Sequence, residues 1–280
     1  MTRYLLTPDR PVLLRPDGSV QLGWDPQRAV LVAPPDGIAP THLADLLQAL
    51  QDGLGRAELI AEAARSGLPE VGLWRLVDAL TAAGLIHVET PRTTRSASIR
   101  VHGRGPLSEL LQNALHCSGA RVRHSTKPYA AAIPAHTDLV VLADYLVTDP
   151  RVVRELHRAG VAHLPVRVRD GTGLVGPLVL PGVTSCLQCA DLHRSDRDGD
   201  WPAVAAQLRG KVGTASRATI LATAALALSQ IDLVIRAVGH RGDTDPAPEA
   251  PPTLDTTLEV DAGGCSVSAR RWTRHPGCRC

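Results

Sequence analysis

The chain has 280 residues, 44% hydrophobic and 21% charged, with a formal net charge of +2. That composition fits a globular protein of one or two domains with a substantial core and excludes a bulk electrostatic pull toward nucleic acid or a membrane surface. Phe is absent and aromatic residues make up 2%, so Leu, Val, Ile and Ala must fill the interior.

Six cysteines, with no signal-peptide pattern after Met1, point to a reducing cytoplasm, where close thiol pairs hold metal more readily than they form disulfides. A first domain is expected over residues 1–92. Pro11–Arg15 and Ser19–Leu22 flank Pro16-Asp17-Gly18, and Asp-Gly supplies the positive φ values that a tight hairpin turn needs. Ala29–Ala33 reads as a third strand. Helical spacing follows over Thr41–Leu50, Arg56–Ala64 and Pro69–Ala83. The last places Val71, Leu73, Leu76, Val77, Leu80 and Ala83 on one apolar face. Gly84 ends that helix before a short strand, Leu85–Val88. Three helices flanked by strands describe a winged helix. The third helix offers Glu70, Arg75 and Asp78, a mixed face where DNA binding needs clustered positive charge. Peptide recognition fits better: an extended peptide can add to the edge of Ala29–Ala33. This region-level reading nominates Val30, Val32, Arg75 and Asp78.

Pro91–Ser98 reads as a linker to a second domain over 96–280. Strand Ile99–Val101 leads through Gly103-Arg104-Gly105 into helix Leu107–Leu115. Strands follow at Arg121–Arg123 and Leu139–Ala143, the latter a continuous apolar run expected of a strand covered on both faces. Helix Arg151–Ala159, capped by Asp149, and strand Ala162–Val168 continue the alternation of a doubly wound α/β sheet. Gly176–Leu180 reads as a further strand, Trp201–Leu208 and Thr214–Val238 as helices. The latter contains Gln230, Asp232 and Arg236, which marks a buried helix and not a membrane span. His240–Pro252 reads as a low-complexity loop, and Leu254–Val260 with Cys265–Trp272 as a hairpin.

Four features carry candidate chemistry. Cys186-Leu-Gln-Cys189 and Cys278-Arg-Cys280 can together make one tetrathiolate Zn2+ site, structural because four thiolates leave no open position. The Cys-x-Cys spacing is tight, which leaves His193 and His275 as alternate ligands. Gly103 and Gly105 sit where a nucleotide fold cradles phosphate on helix N–H groups. Ser108 stands where the third glycine of that motif belongs, and Pro106 removes an N–H. The next strand ends in Arg123-His124-Ser125-Thr126 with no acid for a ribose, so the loop reads as vestigial and ATP is not expected. Asp144, at a strand end, is either a cap or, if the chain is an active enzyme, a magnesium-holding catalytic residue. Cys117 and Cys265 read as small buried side chains or nucleophiles. The charges from Asp191 to Asp198 read as a solvated loop.

Taken with Ile99–Gly105, the stretches LVVLAD, PVRVRDGTGLVGPLVLPGVTSCLQCADLHRSDRD and HPGCRC resemble the ThiF-like relatives of ubiquitin-activating enzymes. The narrower resemblance is to bacterial ThiF-like proteins that bind precursor leader peptides in thiazole/oxazole-modified microcin biosynthesis, often called cyclodehydratase subunits. It implies a winged-helix leader-binding element, a zinc-bound adenylating-enzyme-like domain, and an ATP-using YcaO-type partner that cyclises Cys, Ser or Thr. It also implies a presenting role without chemistry of its own, often as a homodimer, with no nucleic acid and no membrane. Two rival readings remain: an ATP-dependent adenylyltransferase acting on a carboxylate, with Asp144 in its site, and a winged-helix transcriptional regulator.

Overall fold

The computed structural model describes residues 2–89, 95–126, 136–239 and 249–280. The chain folds into two compact units, Met1–Thr93 and Thr94–Cys280. In the first, β2 (Val12–Leu14), β3 (Val20–Leu22) and β4 (Val30–Val32) form an antiparallel sheet in that order. Its turn forms as Asp17 Oδ1 accepts from the Ser19 N–H at 2.9 Å and Gly18 takes φ 83°, a value that costs glycine nothing. Register pairs Leu22 with Val30 and Val20 with Val32, and Val20 and Leu22 are fully buried. Alternation then turns Leu13, Gln21 and Leu31 to the other face, where Leu31 is 55% exposed. Helix α1 (Pro40–Gln51) buries Leu43, Leu46, Leu47 and Leu50, a 3–4 stripe.

A second sheet of the first unit was not visible in the sequence. β1 (Arg3–Leu6) lies between β5 (Leu54–Gly55) and β6 (Ile86–Glu89), antiparallel to both. Helices α2 (Arg56–Arg65) and α3 (Glu70–Ala82) complete the unit. α3 buries Leu73, Val77 and Leu80. Its stripe is narrower than expected: Val71 is 66% exposed and Ala83 is also exposed, because the helix begins and ends beyond the core it covers.

The second unit is built on one mixed sheet of seven strands. β7 (Ser98–His102), β8 (Arg121–Ser125), β9 (Leu139–Ala143) and β10 (Ala162–Arg169) run parallel in the order β8-β7-β9-β10. β11 (Thr172–Val175), β12 (Thr256–Asp261) and β13 (Ser266–Arg271) extend it antiparallel. Every residue of β9 is buried. Leu139, Val141 and Ala143 pack with α4 (Pro106–Leu115) and α8 (Arg217–Gly239), while Val140 and Leu142 pack with α5 (Pro150–Arg158) and the start of α6 (Leu187–Ser195).

Two expectations change here. The strand placed at Gly176–Leu180 is reduced to isolated bridges: after the turn at Asp170-Gly171 the regular ladder of β11 ends at Val175, Gly176 takes φ 96° and Pro177 has no N–H, and pairing with β10 resumes only where Val179 meets His163. Of the charged stretch read as a solvated loop, Asp191–Arg194 belongs to helix α6, while Asp196–Asp198 form an exposed turn before α7 (Trp201–Leu208). Among the described residues α8 is the one helix long and apolar enough to cross a membrane by length and composition. It buries Thr223, Ala224, Ala227, Gln230 and Ile231 and packs on α4, β10, β11 and β12. The approach of α8 to β11 is close enough that a Cβ on Gly173 would meet Thr223 Oγ1 at 1.9 Å. Most of the loop expected at His240–Pro252 and half of the linker at Pro91–Ser98 lie outside the described residues.

Candidate metal centre and glycine turn

Cys186 is the N-cap of α6 and Cys189 lies in its first turn, so the i, i+3 relation puts both thiols on one face. The chain returns after β13, and a turn in which the Cys278 N–H donates to the His275 carbonyl at 2.9 Å brings Cys278 and Cys280 to the same place. The sulfurs stand 3.8 Å apart for Cys186–Cys189, 3.6 Å for Cys186–Cys278 and 3.4 Å for Cys189–Cys280, and all four lie within 4.8 Å of one another. A tetrahedron with metal–sulfur bonds of about 2.3 Å has edges of about 3.8 Å. The four thiols therefore fit one tetrahedral ion, in a donor set that suits zinc.

Burial, reinforced by the neighbouring thiols, holds the Cys186 thiol well above the ordinary range. For Cys189 burial acts in the same direction, but backbone hydrogen bonds at His275 and Cys186 and a bond to Cys280 overcome it and bring the thiol to about 7. Burial raises Cys280.

His193 and His275 stand beside the tetrad and not in it. Their rings meet edge-on with centroids 4.8 Å apart. The His275 Nδ1 accepts from the Gly277 N–H at 3.0 Å, so its Nε2 donates to Asp196 Oδ2 at 2.8 Å. His193 Nε2 donates to the Thr273 carbonyl at 3.1 Å. These bonds tie the C-terminal turn to α6, an outer shell that orients the ligands.

The glycine turn has the opposite character. A Cβ on Gly103 would lie 2.5 Å from the Ala143 carbonyl oxygen, and one on Gly105 would lie 2.8 Å from Asp144 Oδ1. Both glycines are needed for the close approach of the turn to the end of β9. Asp144 Oδ1 accepts from the Leu107 N–H at 2.9 Å and Oδ2 from the Ser108 N–H at 3.2 Å. Pro106 has no N–H, and the Glu109 N–H reaches the Gly105 carbonyl at 3.2 Å. The first turn of α4 is thus fully provided for by the protein's own groups. Asp144 is 1% exposed. Burial raises its pKa, against the lowering effect of the Ser108 and Leu107 bonds. At the end of β8, His124 Nε2 bonds the Gly103 carbonyl at 3.0 Å, and Ser125 Oγ meets His102 Nδ1 at 3.0 Å.

In the first unit, Val30 and Val32 turn inward and pack on the core; Leu31 is the β4 side chain that projects outward. β4 pairs with β3 on one side only among the described residues. Arg75 and Asp78 are exposed on α3. Cys117 and Cys265 are both exposed, contrary to the expectation of buried packing residues.

No family model matches the chain, and no curated protein is detectably similar to it. Solved structures share its fold. The heterocyclase TruD aligns over 100% of this chain at TM-score 0.69 and 16% identity. A heterocyclase in complex with substrate and cofactor aligns over 98% at 0.67 and 16%. The chain spans only 42% and 39% of those two proteins. The structure of E. coli MccB with ATP aligns over 99% of both chains at TM-score 0.59 and 12% identity. Likeness at these identities establishes a common fold.

Proposed function

We propose that the chain is a substrate-recruiting, non-catalytic component of a heterocycle-forming cyclodehydratase assembly. The first unit, a winged helix, binds a precursor leader peptide by adding it to β4. The second, a ThiF-like doubly wound domain, presents that peptide to a YcaO-type ATP-using partner. Zn2+ bound by Cys186, Cys189, Cys278 and Cys280 is structural: with four thiolates it supplies folding free energy and cross-links α6 to the C-terminal turn.

The observation that carries the non-catalytic reading is Asp144. A phosphate at the N-terminus of α4 would need the N–H groups of Leu107 and Ser108, and a buried carboxylate already holds both. An incoming nucleotide would have to displace it and face its charge. The fold shared with heterocyclases supports the rest. The rival adenylyltransferase reading draws on the full-length likeness to MccB, and one experiment separates the two. Mg-ATP is titrated into the metal-loaded protein by calorimetry, and pyrophosphate exchange is assayed on the same sample. The recruiting role predicts neither heat nor exchange. Clear binding with exchange that disappears in Asp144→Ala would establish the adenylyltransferase instead.

A further inference from the structure

A cleft of about 620 Å³ opens in the second unit beside the ends of β9 and β10, walled by α6, α7 and Trp272. That volume suits a small organic ligand. Apolar side chains such as Leu174, Leu187 and Leu208 line much of it. Arg194 forms one charged wall. It is bonded to Asp191 at 2.8 Å and stacked over Trp201 and Trp272 at 5.3 and 5.0 Å. Arg270 is paired with Glu259 at 2.8 Å.

Arg167 is different. It projects from β10 into the lining of the same cleft and makes no ion pair among the described residues. Its one hydrogen bond among the described residues is from Nη1 to the Leu146 carbonyl, at 3.0 Å. A guanidinium carries five N–H donors in a planar fork. Burial, and then the charge of Arg194, press its pKa down to about 10, against the opposing effect of the Asp191 carboxylate. Half-buried in the cleft wall, with one of its donors engaged by the Leu146 carbonyl, the fork has further N–H groups to offer an anion that enters the cleft.

We propose that this cleft binds a small oxyanion at Arg167, with any apolar body of the ligand lying against the leucine-lined wall. The guanidinium fork grips two oxygens of a carboxylate or phosphate head group. Arg194 is positioned for a second contact by its carboxylate partner and two indole faces. The site lies wholly in the second unit and is independent of leader-peptide binding by the first. It also ties the cysteine cluster to function: Cys186 and Cys189 open α6, which carries Asp191 and Arg194, and Cys278 and Cys280 follow Trp272. An ion held by the four thiols would staple two walls of the cleft.

The test uses the full chain, three probes and two variants. Hexanoate, hexanamide and inorganic phosphate are titrated by calorimetry and by thermal shift at fixed ionic strength, against wild type, Arg167→Met and Arg167→Lys. Hexanoate should bind and hexanamide should not. Arg167→Met should weaken hexanoate about tenfold or more, and Arg167→Lys should weaken it less. Phosphate binding as tightly as hexanoate would identify the ligand as a free inorganic anion; a preference for hexanoate would assign an organic carboxylate. The ligand-free Arg167→Met protein should melt no lower than wild type, because a methionine keeps the packing of the half-buried stem and removes a partly desolvated charge. Three results would each overturn the proposal: no anion binds, hexanamide binds as well as hexanoate, or hexanoate binds Arg167→Met as well as wild type. A Met variant that folds but melts well below wild type would likewise make Arg167 a structural strut of the Leu146 carbonyl.

Discussion

The cysteine cluster and the glycine turn look alike as short motifs, each a ligand site in waiting, and the fold treats them in opposite ways. At the turn, every donor of the α4 N-terminus has an internal partner, and the anion is the side chain of Asp144. At the cluster, the protein gathers four sulfurs within 4.8 Å of one another, a set that fits one tetrahedral metal ion. A motif marks a binding site when the folded chain leaves its groups unsatisfied, and marks a scar when the chain fills it from within. Arg167 belongs with the cysteines by this criterion, although no motif announces it.

The sharpest way to break the contrast is to remove a group from each side. Cys186→Ala should empty the metal site and give the largest loss of stability of any single change. Structural zinc contributes on the order of 10 kcal/mol in domains built on metal alone, and less is expected here because the second unit has its own core. Metal content by mass spectrometry, with urea unfolding on the same protein, reads both effects. Unchanged metal content and midpoint would remove the cluster from the unsatisfied class. Asp144→Ala strips two buried N–H groups of their acceptor and should cost roughly 2–4 kcal/mol. Asp144→Asn retains one acceptor oxygen and should cost about half as much. If Asp144→Ala were neutral in urea unfolding, the turn would not be held by that carboxylate.

A middle-sized effect comes from acid. His102 and His163 are 2% and 0% exposed. Burial foremost holds each at about 4; the charges of Arg100 and His124 assist at His102, and that of His157 at His163. Both are neutral in the native state down to that pH, whereas in the unfolded chain they take up protons near 6.5. The unfolded state therefore binds more protons between these limits. The stability they confer is complete above about pH 6.5 and falls as pH drops toward 4, by on the order of 3 kcal/mol for each histidine. A metal on the thiols would be released in the same window, so the slope is measured on chelator-treated protein. His163→Leu should remove about half of it. An equal slope in the variant would mean that other groups carry the acid transition.

What could be read in advance was local. Cys186 and Cys189 are three residues apart on one helix, and Cys278 and Cys280 only two apart, so each pair announces itself. The uninterrupted apolar run of β9 and the β-α alternation of the parallel half are legible for the same reason. The pairing of the second sheet in the first unit was not, because β5 is two residues long and β1 carries no alternation strong enough to mark it. The role of Asp144 depends on donors 36 and 37 residues away. Arg167 is one of many arginines in the chain, and only tertiary packing separates it from those that lie in solvent. The charges of α6 misled for a related reason: Arg194 looks solvated in sequence, yet Trp201 of the next helix and Trp272 from far along the chain close over it.

The smallest expected effect concerns the third unsatisfied feature, the free edge of β4. An edge strand exposes backbone N–H and C=O groups that another chain can pair with. Here Leu31 turns its side chain outward beside that edge, while Val30 and Val32 face the core. Leu31→Asp removes no buried contact, so stability should change by no more than about 0.5 kcal/mol. The same change places a charge where a leader peptide would lie, and should weaken peptide binding while leaving the metal site and the Arg167 cleft untouched. Hydrogen exchange over residues 29–33, with and without a precursor peptide, gives the readout. New protection in wild type that is lost in Leu31→Asp assigns the edge to the peptide. Protection that appears equally in both would move the peptide to another surface, with Arg75 and Asp78 on α3 the next residues to substitute.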